Sequence, residues 1–362
     1  MLLGIIMRIL IAPLDWGLGH ATRCIPIISY LTEKKCEVII AADGRALQLL
    51  RNEPACRAAS FVELPGYNIS YPKNGSMAVK MAAQIPKILS GIKKEHKQLK
   101  KIIREKKIDA VISDNRFGLW SKDVPCVFIT HQLMVKSPFG ENLIHKLNKN
   151  YISKYSDCWI PDVAGENNLS GDLSHKFPLS SNAKFIGALS RMSRDASSPE
   201  MGDHDLLAIL SGPEPQRTLF EKKILEQARG CDFKILVVQG VTEKNERRKI
   251  SDNVEVISYL TSQELHKEIN SSSLILCRPG YSSVMDLAVL HKKAIFVPTP
   301  GQTEQEYLAK YFSEKKIAYS VSQKKFDLRT VVKESESYSG FAEKYNSKEF
   351  MRAADEFLLK CN

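Results

Sequence analysis

The chain of 362 residues is long enough for two domains of ordinary size, and its 43% apolar and 26% charged residues exclude a disordered, fibrous or disulfide-stapled class. Lys and Arg number 52 against 41 Asp and Glu, a net charge of +11 that favours a polyanionic partner without choosing among phosphate, nucleic acid and anionic headgroups. The eight cysteines stand apart with no C-x-x-C pair, which reads as reduced thiols in a cytoplasmic protein and speaks against a zinc site.

Met1 to Ile11 is apolar but broken by Gly4 and Arg8, with no basic segment before the apolar run. It makes a poor signal peptide and a good first strand over residues 7–14, with Met7 a candidate start. No run of 18 apolar residues exists, so no membrane span is expected. Further strands are predicted at 36–41, 59–64, 108–113, 125–130 and 157–160, with helices at 21–34, 44–52, 76–107 and 139–154 between them. The polar stretch Ser190 to Asp205, with Pro199 in it, is the predicted linker. Strands then resume at 206–210, 233–238, 254–257, 273–277, 294–297 and 317–321, and Phe341 to Leu359 has the spacing of an amphipathic helix. Alternating strands and helices on this scale predict an α/β chain of two domains built on parallel sheets.

The helix ending at residue 107 carries eight basic and two acidic residues between Lys93 and Lys107, more than half of the net charge. A core-packed helix with a solvated lysine face is the commoner explanation; contact with an anionic membrane surface is the sharper one.

Three strand-to-helix turns carry candidate chemistry. Trp16-Gly17-Leu18-Gly19-His20-Ala21-Thr22-Arg23 follows the first strand; its glycines allow a ligand close to the backbone, and the helix start favours an anion. His20 is a base candidate, because an imidazole titrates near neutrality, and its dull alternative is a packing histidine. Cys277-Arg278-Pro279-Gly280-Tyr281-Ser282-Ser283 forms a second such turn, with Asp286 one turn into the helix and placed either to hold two ribose hydroxyls or merely to complement the helix dipole. Pro298-Thr299-Pro300-Gly301-Gln302-Thr303-Glu304-Gln305 is the third, where Glu304 and Gln305 are candidate hydroxyl readers. Asp114 and His131, each at a strand end, are rival bases or acceptor contacts, with structural caps as the equal alternative.

Taken together, these turns resemble the GT-B glycosyltransferases, most closely the peptidoglycan N-acetylglucosaminyltransferases and relatives that share the family 28 C-terminal domain. The resemblance is specific over Val256 to Ala309 and looser in the first half, where the Gly-His turn and strand rhythm carry it. It implies two Rossmann-like domains facing across a cleft. An acceptor-binding domain would span 1–194, a nucleotide-sugar domain 203–340, and a C-terminal helix over 341–362 would pack back on the first domain.

Residue by residue, the resemblance implies His20 near the acceptor, together with Gly17, Gly19, Asp114 and His131. On the donor side, Leu260 meets the base, Asp286 the ribose, and Gln305 with Glu304 the sugar, with Gly280 and Ser282 lining the turn. Where relatives have a Gly-rich loop, this chain has Ser211-Gly212-Pro213-Glu214-Pro215-Gln216-Arg217. Its prolines lack N–H donors, so Ser211, Gly212 and Arg217, with Arg278, become the diphosphate candidates.

The implied function is inverting transfer of N-acetylglucosamine from a UDP-sugar to an acceptor hydroxyl, lipid-linked or glycan. No metal and no cofactor beyond the donor itself are expected. The setting would be the cytoplasm, with peripheral membrane contact open. The rivals are a nucleotide-sugar epimerase of the same fold and a basic nucleic-acid-binding module; 8% aromatics and no stacking motif in the basic run weigh against the latter.

Overall fold

Residues Arg8–Pro13 form β1, and every residue of it except Arg8 is buried. So continuous an apolar run belongs to a parallel sheet covered on both faces. The structure, a computed structural model, describes residues 6–67, 84–136, 141–193, 204–243 and 245–361. In chain order β1 is followed by α1 (Leu18–Glu33), β2 (Glu37–Ala42), α2 (Gly44–Asn52), β3 (Ser60–Glu63), α3 (Ile85–Lys106), β4 (Ala110–Asp114), β5 (Cys126–Ile129), α4 (Glu141–Ile152), β6 (Asp157–Ile160), α5 (Asp172–His175) and β7 (Ala183–Phe185). These strands make one seven-stranded sheet in the order β3-β2-β1-β4-β5-β6-β7, parallel at every pairing. Its core includes Leu10, Ile39, Val111, Phe128 and Ile160.

The second sheet repeats the plan. It is built from β8 (Leu206–Ile209), α6 (Gln216–Ala228), β9 (Ile235–Val238), β10 (Arg247–Ser251), β11 (Val254–Ile257), α7 (Ser262–Ser271), β12 (Leu274–Cys277), α8 (Tyr281–Val289), β13 (Ala294–Phe296), α9 (Thr303–Glu314), β14 (Tyr319–Ser320) and α10 (Leu328–Ser335). The strand order is β10-β11-β9-β8-β12-β13-β14, parallel except where β10 pairs with β11. Both sheets are therefore doubly wound. In each, the strand order reverses beside the first strand, between β1 and β4 and between β8 and β12.

The last helix, α11 (Lys348–Leu359), belongs with the first sheet: the chain divides into one unit of Met1–Leu189 with Asn346–Asn362 and another of Ser190–Tyr345. Phe350 and Phe357 of α11 set their rings edge-on against Trp159 of β6 at 6.1 and 5.8 Å, and the Tyr30 hydroxyl donates to Asp355 Oδ1 at 2.8 Å.

Several bounds differ from the sequence expectation for physical reasons. Helix α1 begins at Leu18, three residues earlier than expected, because Gly17 turns the chain with φ +123°, a conformation that favours glycine, and a Cβ there would touch nothing. The C-terminal helix begins at Lys348 and not at 341, where the Asn346 side chain takes the Lys348 N–H at 2.9 Å. Strand β7 has no fully buried residue and β10 is exposed over four of its five residues, so neither carried an apolar signal; both are edge strands. The predicted helix over 76–107 is described from Ile85 onward, and residues 76–83, 139–140 and the 194–203 part of the predicted linker lie outside the described residues. The lysine face of α3 is solvated at Lys93, Lys94, Lys97, Lys100 and Lys101, while Ile92, Leu99 and Ile102 are buried.

Candidate active site

In open α/β sheets a ligand gathers at the carboxyl ends of the strands where the strand order reverses. In the first unit that point lies between the ends of β1 and β4, and Pro13 is in register with Asp114. The turn after β1 carries His20 into the first turn of α1, and Asp114 closes β4. His20 Nδ1 lies 2.7 Å from Asp114 Oδ1. Arg23, one turn further along α1, donates from Nε and Nη2 to both oxygens of the same carboxylate. Its Nη1 lies 2.8 Å from His131 Nδ1.

A guanidinium only donates, which fixes His131: its Nδ1 accepts and it is neutral. His20 Nδ1 lies 2.7 Å from both Asp114 Oδ1 and Arg23 Nη2; in the tautomer that carries its proton on Nδ1, that proton faces the carboxylate and Nε2 keeps its lone pair. Burial drives the Asp114 carboxyl up, but Arg23 and then His20 outweigh it and hold it down at about 2. A carboxylate that stays ionised and orients one imidazole nitrogen prepares the other to take a proton, and it stabilises the imidazolium that results.

Of the two acceptor-side residues expected at strand ends, Asp114 is fully buried and His131 is 6% exposed. Asp114 lies behind His20, whose side chain is 15% exposed. Gly17 is exposed and Gly19 half-buried beside it. Arg23 is the residue that sequence reasoning passed over. The signal was present, since positions i and i+3 of a helix share a face and His20 and Arg23 stand three apart.

The second unit presents three turns on adjacent strands at the corresponding edge. After β8, Gly212 (φ +105°) turns the chain between Ser211 and Pro213. After β12, Gly280 has an ordinary φ of −72°; among the described residues no side chain caps α8, and a Cβ on Gly280 would meet nothing within 4 Å. Neither backbone strain nor packing among the described residues calls for glycine at 280. After β13, Gln305 Oε1 accepts from the Thr299 N–H at 2.8 Å, and the Gln302 side chain accepts from the Gln305 N–H at 2.6 Å, which fixes this turn. Ser282, Glu304 and Leu260 are half-buried at the same edge, and Leu260 precedes the capping box of α7 formed by Thr261 and Glu264.

Both arginines expected at the diphosphate have partners within the second unit. Arg278 is 1% exposed; it donates to the carbonyls of Val297 (2.7 Å), Pro298 (3.1 Å) and Gln216 (3.3 Å) and to Gln323 Oε1 (2.6 Å), over the ring of Phe220. Burial lowers it to about 10, and it serves as the tie of the turns after β12 and β13. Arg217 pairs with Glu214 at 2.8 Å and faces Glu221 at 3.4 Å, so its charge is already met. Asp286 is 7% exposed, accepts from Ser190 Oγ at 2.6 Å and faces Arg191 Nε at 3.5 Å. Burial pushes its carboxyl up, and Arg191 and Ser190 oppose that rise. Ser190 and Arg191 were read in the sequence only as linker. Among the described residues, no group of three or more His, Cys, Asp or Glu could hold a metal ion, and no helix is long and apolar enough to cross a membrane.

Comparison with known proteins matches both units. Residues 7–161 match the family model "Glycosyl transferase family 1", and residues 213–357 match "Glycosyltransferase family 28 C-terminal domain". The chain is a GT-B glycosyltransferase. Among its relatives, a glycosyltransferase of Methanosarcina acetivorans is 22% identical over 318 residues, 83% of this chain and 82% of that one. The UDP-N-acetylglucosamine–N-acetylmuramyl-(pentapeptide) pyrophosphoryl-undecaprenol N-acetylglucosamine transferase of Listeria welshimeri is 24% identical over 63% of this chain and 62% of its own. The glycosyltransferase shares its fold with the kitacinnamycin glycotransferase (TM-score 0.63, 15% identity, 98% of this chain and 99% of that one). It also shares it with Acinetobacter baumannii MurG (TM-score 0.52, 14% identity, 98% and 94%). Of the readings that the sequence left open, sugar transfer is the one that the two family models carry.

Proposed function

We propose that this glycosyltransferase moves N-acetylglucosamine from UDP-N-acetylglucosamine to an acceptor hydroxyl with inversion at the anomeric carbon, in the cytoplasm. The observation that carries the reading is the His20–Asp114 pair: one imidazole, oriented by a buried carboxylate, stands at the switch point of the first sheet. His20 Nε2 takes the proton of the acceptor hydroxyl as its oxygen attacks the sugar. Asp114 is too buried to act as a nucleophile, which favours a single displacement and hence inversion.

As the bond to the donor breaks, negative charge grows on the departing diphosphate. The start of α8 at Gly280 to Ser282 and the turn at Ser211 and Gly212 are the groups we assign to it, preorganised where that charge appears. Asp286 is assigned to the ribose, Leu260 to the base, and Gln305 and Glu304 to the sugar, with Gly17 and Gly19 beside the acceptor. The printed name of the Listeria welshimeri relative supports the choice of UDP-N-acetylglucosamine, and its undecaprenol-linked acceptor supports a lipid-linked acceptor reached at the membrane surface. Eight free cysteines, six of them buried, suit the cytoplasm.

Thermal-shift titration with UDP, GDP and dTDP tests the donor, since a nucleotide that binds the native state stabilises it. UDP is expected to raise the melting temperature most; a larger shift with dTDP or GDP overturns the donor assignment. In the same preparation, His20→Ala should lower turnover by about 100-fold or more while UDP still binds. An unaltered rate removes His20 as the base.

A further inference from the structure

The hydroxyl of Thr299 is an anomaly in the second unit. Thr299 is 1% exposed, and its Oγ1 has no hydrogen-bond partner among the described residues. A buried hydroxyl left unpaired is unfavourable, and a valine of nearly the same shape would fill the space without that penalty. Its surroundings supply the reason to keep it. Oγ1 lies 3.3 Å from the point where a Cβ on Gly212 would stand. The hydroxyl therefore faces the glycine turn after β8, and the absence of a side chain at 212 leaves that approach open.

The turns after β8, β12 and β13 lie on three adjacent strands, and among the described residues no side chain caps the start of α8 at Gly280. Thr299 is held from behind: its N–H is bonded to Gln305, and its carbonyl accepts from the Gln302 N–H at 3.0 Å. Leu260, on the end of β11, lies on the other side of β8 in the strand order, away from Thr299. With its base at Leu260, as proposed above, a nucleotide sugar would run along this edge toward Gly212 and Thr299, its phosphate next to the sugar falling farther from Leu260 than the other.

We infer that the Thr299 hydroxyl is a donor-reading contact that gives its hydrogen bond to the β-phosphate of the nucleoside diphosphate. The inference rests on the donor-site reading above and names one further residue of that site. It explains three facts together: the unpaired hydroxyl, the glycine facing it, and the hydrogen bonds that hold the Thr299 backbone in place. A hydroxyl that meets a charged oxygen only when the donor is bound is idle, and mildly destabilising, without it.

The test is calorimetry on the full chain and on Thr299→Val and Thr299→Ser, titrated with UDP and with UMP. Thr299→Val should weaken UDP binding about tenfold or more and leave UMP binding unchanged, because UMP lacks the phosphate in question. Thr299→Ser should restore UDP affinity to within a few-fold of the parent. Without ligand, Thr299→Val should melt at the same temperature as the parent or higher, an outcome that a merely structural hydroxyl would not give. Equal UDP affinity in Thr299→Val, or equal losses for UDP and UMP, overturns the inference while the donor site stands. If the parent binds neither nucleotide, the donor-site reading falls and this contact falls with it.

Discussion

The ion pair behind His20 makes a quantitative test possible. Arg23 and Asp114 have side chains 2% and 0% exposed. Removing one partner of such a pair strands the other charge without water, a loss of about 3–5 kcal/mol, whereas removing both leaves no uncompensated charge. Arg23→Gln and Asp114→Asn should each destabilise the first unit by that amount, and the double variant should lose at least about 2 kcal/mol less than the sum. The chain's three tryptophans, Trp16, Trp120 and Trp159, all lie in the first unit, so their fluorescence during urea unfolding follows that unit alone.

The same pair sets an acid dependence. Asp114 is depressed from 3.8 to about 2, so its contribution is fully present above the ordinary carboxyl value and is lost as pH falls through about 2. That difference corresponds to about 2 kcal/mol. The parent should therefore lose stability between about pH 4 and pH 2 along a segment that Asp114→Asn lacks. An additive cycle, or an Asp114→Asn variant that loses less than about 1 kcal/mol, would refute the claim that Arg23 and Asp114 form one buried unit behind His20.

Two further outcomes are expected. Asp286→Asn should weaken UDP binding at least several-fold, measured by calorimetry; if affinity holds while the melting temperature drops, the carboxylate serves only to anchor Ser190 and Arg191. Phe357→Ala removes a ring that is 1% exposed and edge-on to Trp159, and should destabilise the first unit by about 3–5 kcal/mol in tryptophan-detected urea unfolding. A loss under about 1 kcal/mol would mean that α11 is not held by that contact.

What the sequence made legible was local. The apolar runs of β1, β4, β5 and β12 could be read as buried strands because every residue in them carries the signal. The glycine turns at 17 and 212 were legible because both positions have a positive φ, which restricts residue choice. Charged side chains were not legible in this way. Arg217 and Arg278 stand beside the candidate turns, but a sequence counts charges without their partners: Glu214 and Glu221 meet one, and backbone carbonyls enclose the other.

Asp114 was noticed as a strand end but its ion pair was not, because its partner Arg23 lies 91 residues away. That distance is bridged by strand order, which no local pattern encodes. Once β4 is known to pair with β1 and not with β3, the rest follows. Pro13 falls opposite Asp114, the Leu14 N–H bonds the Asp114 carbonyl at 3.0 Å, and the turn after β1 must deliver its helix to that carboxylate. A helix entering there can meet the buried charge with only its first two turns, and those two turns hold His20 and Arg23. The pairing of β1 with β4 thus brings both side chains of the Gly-His turn and its helix onto one buried carboxylate.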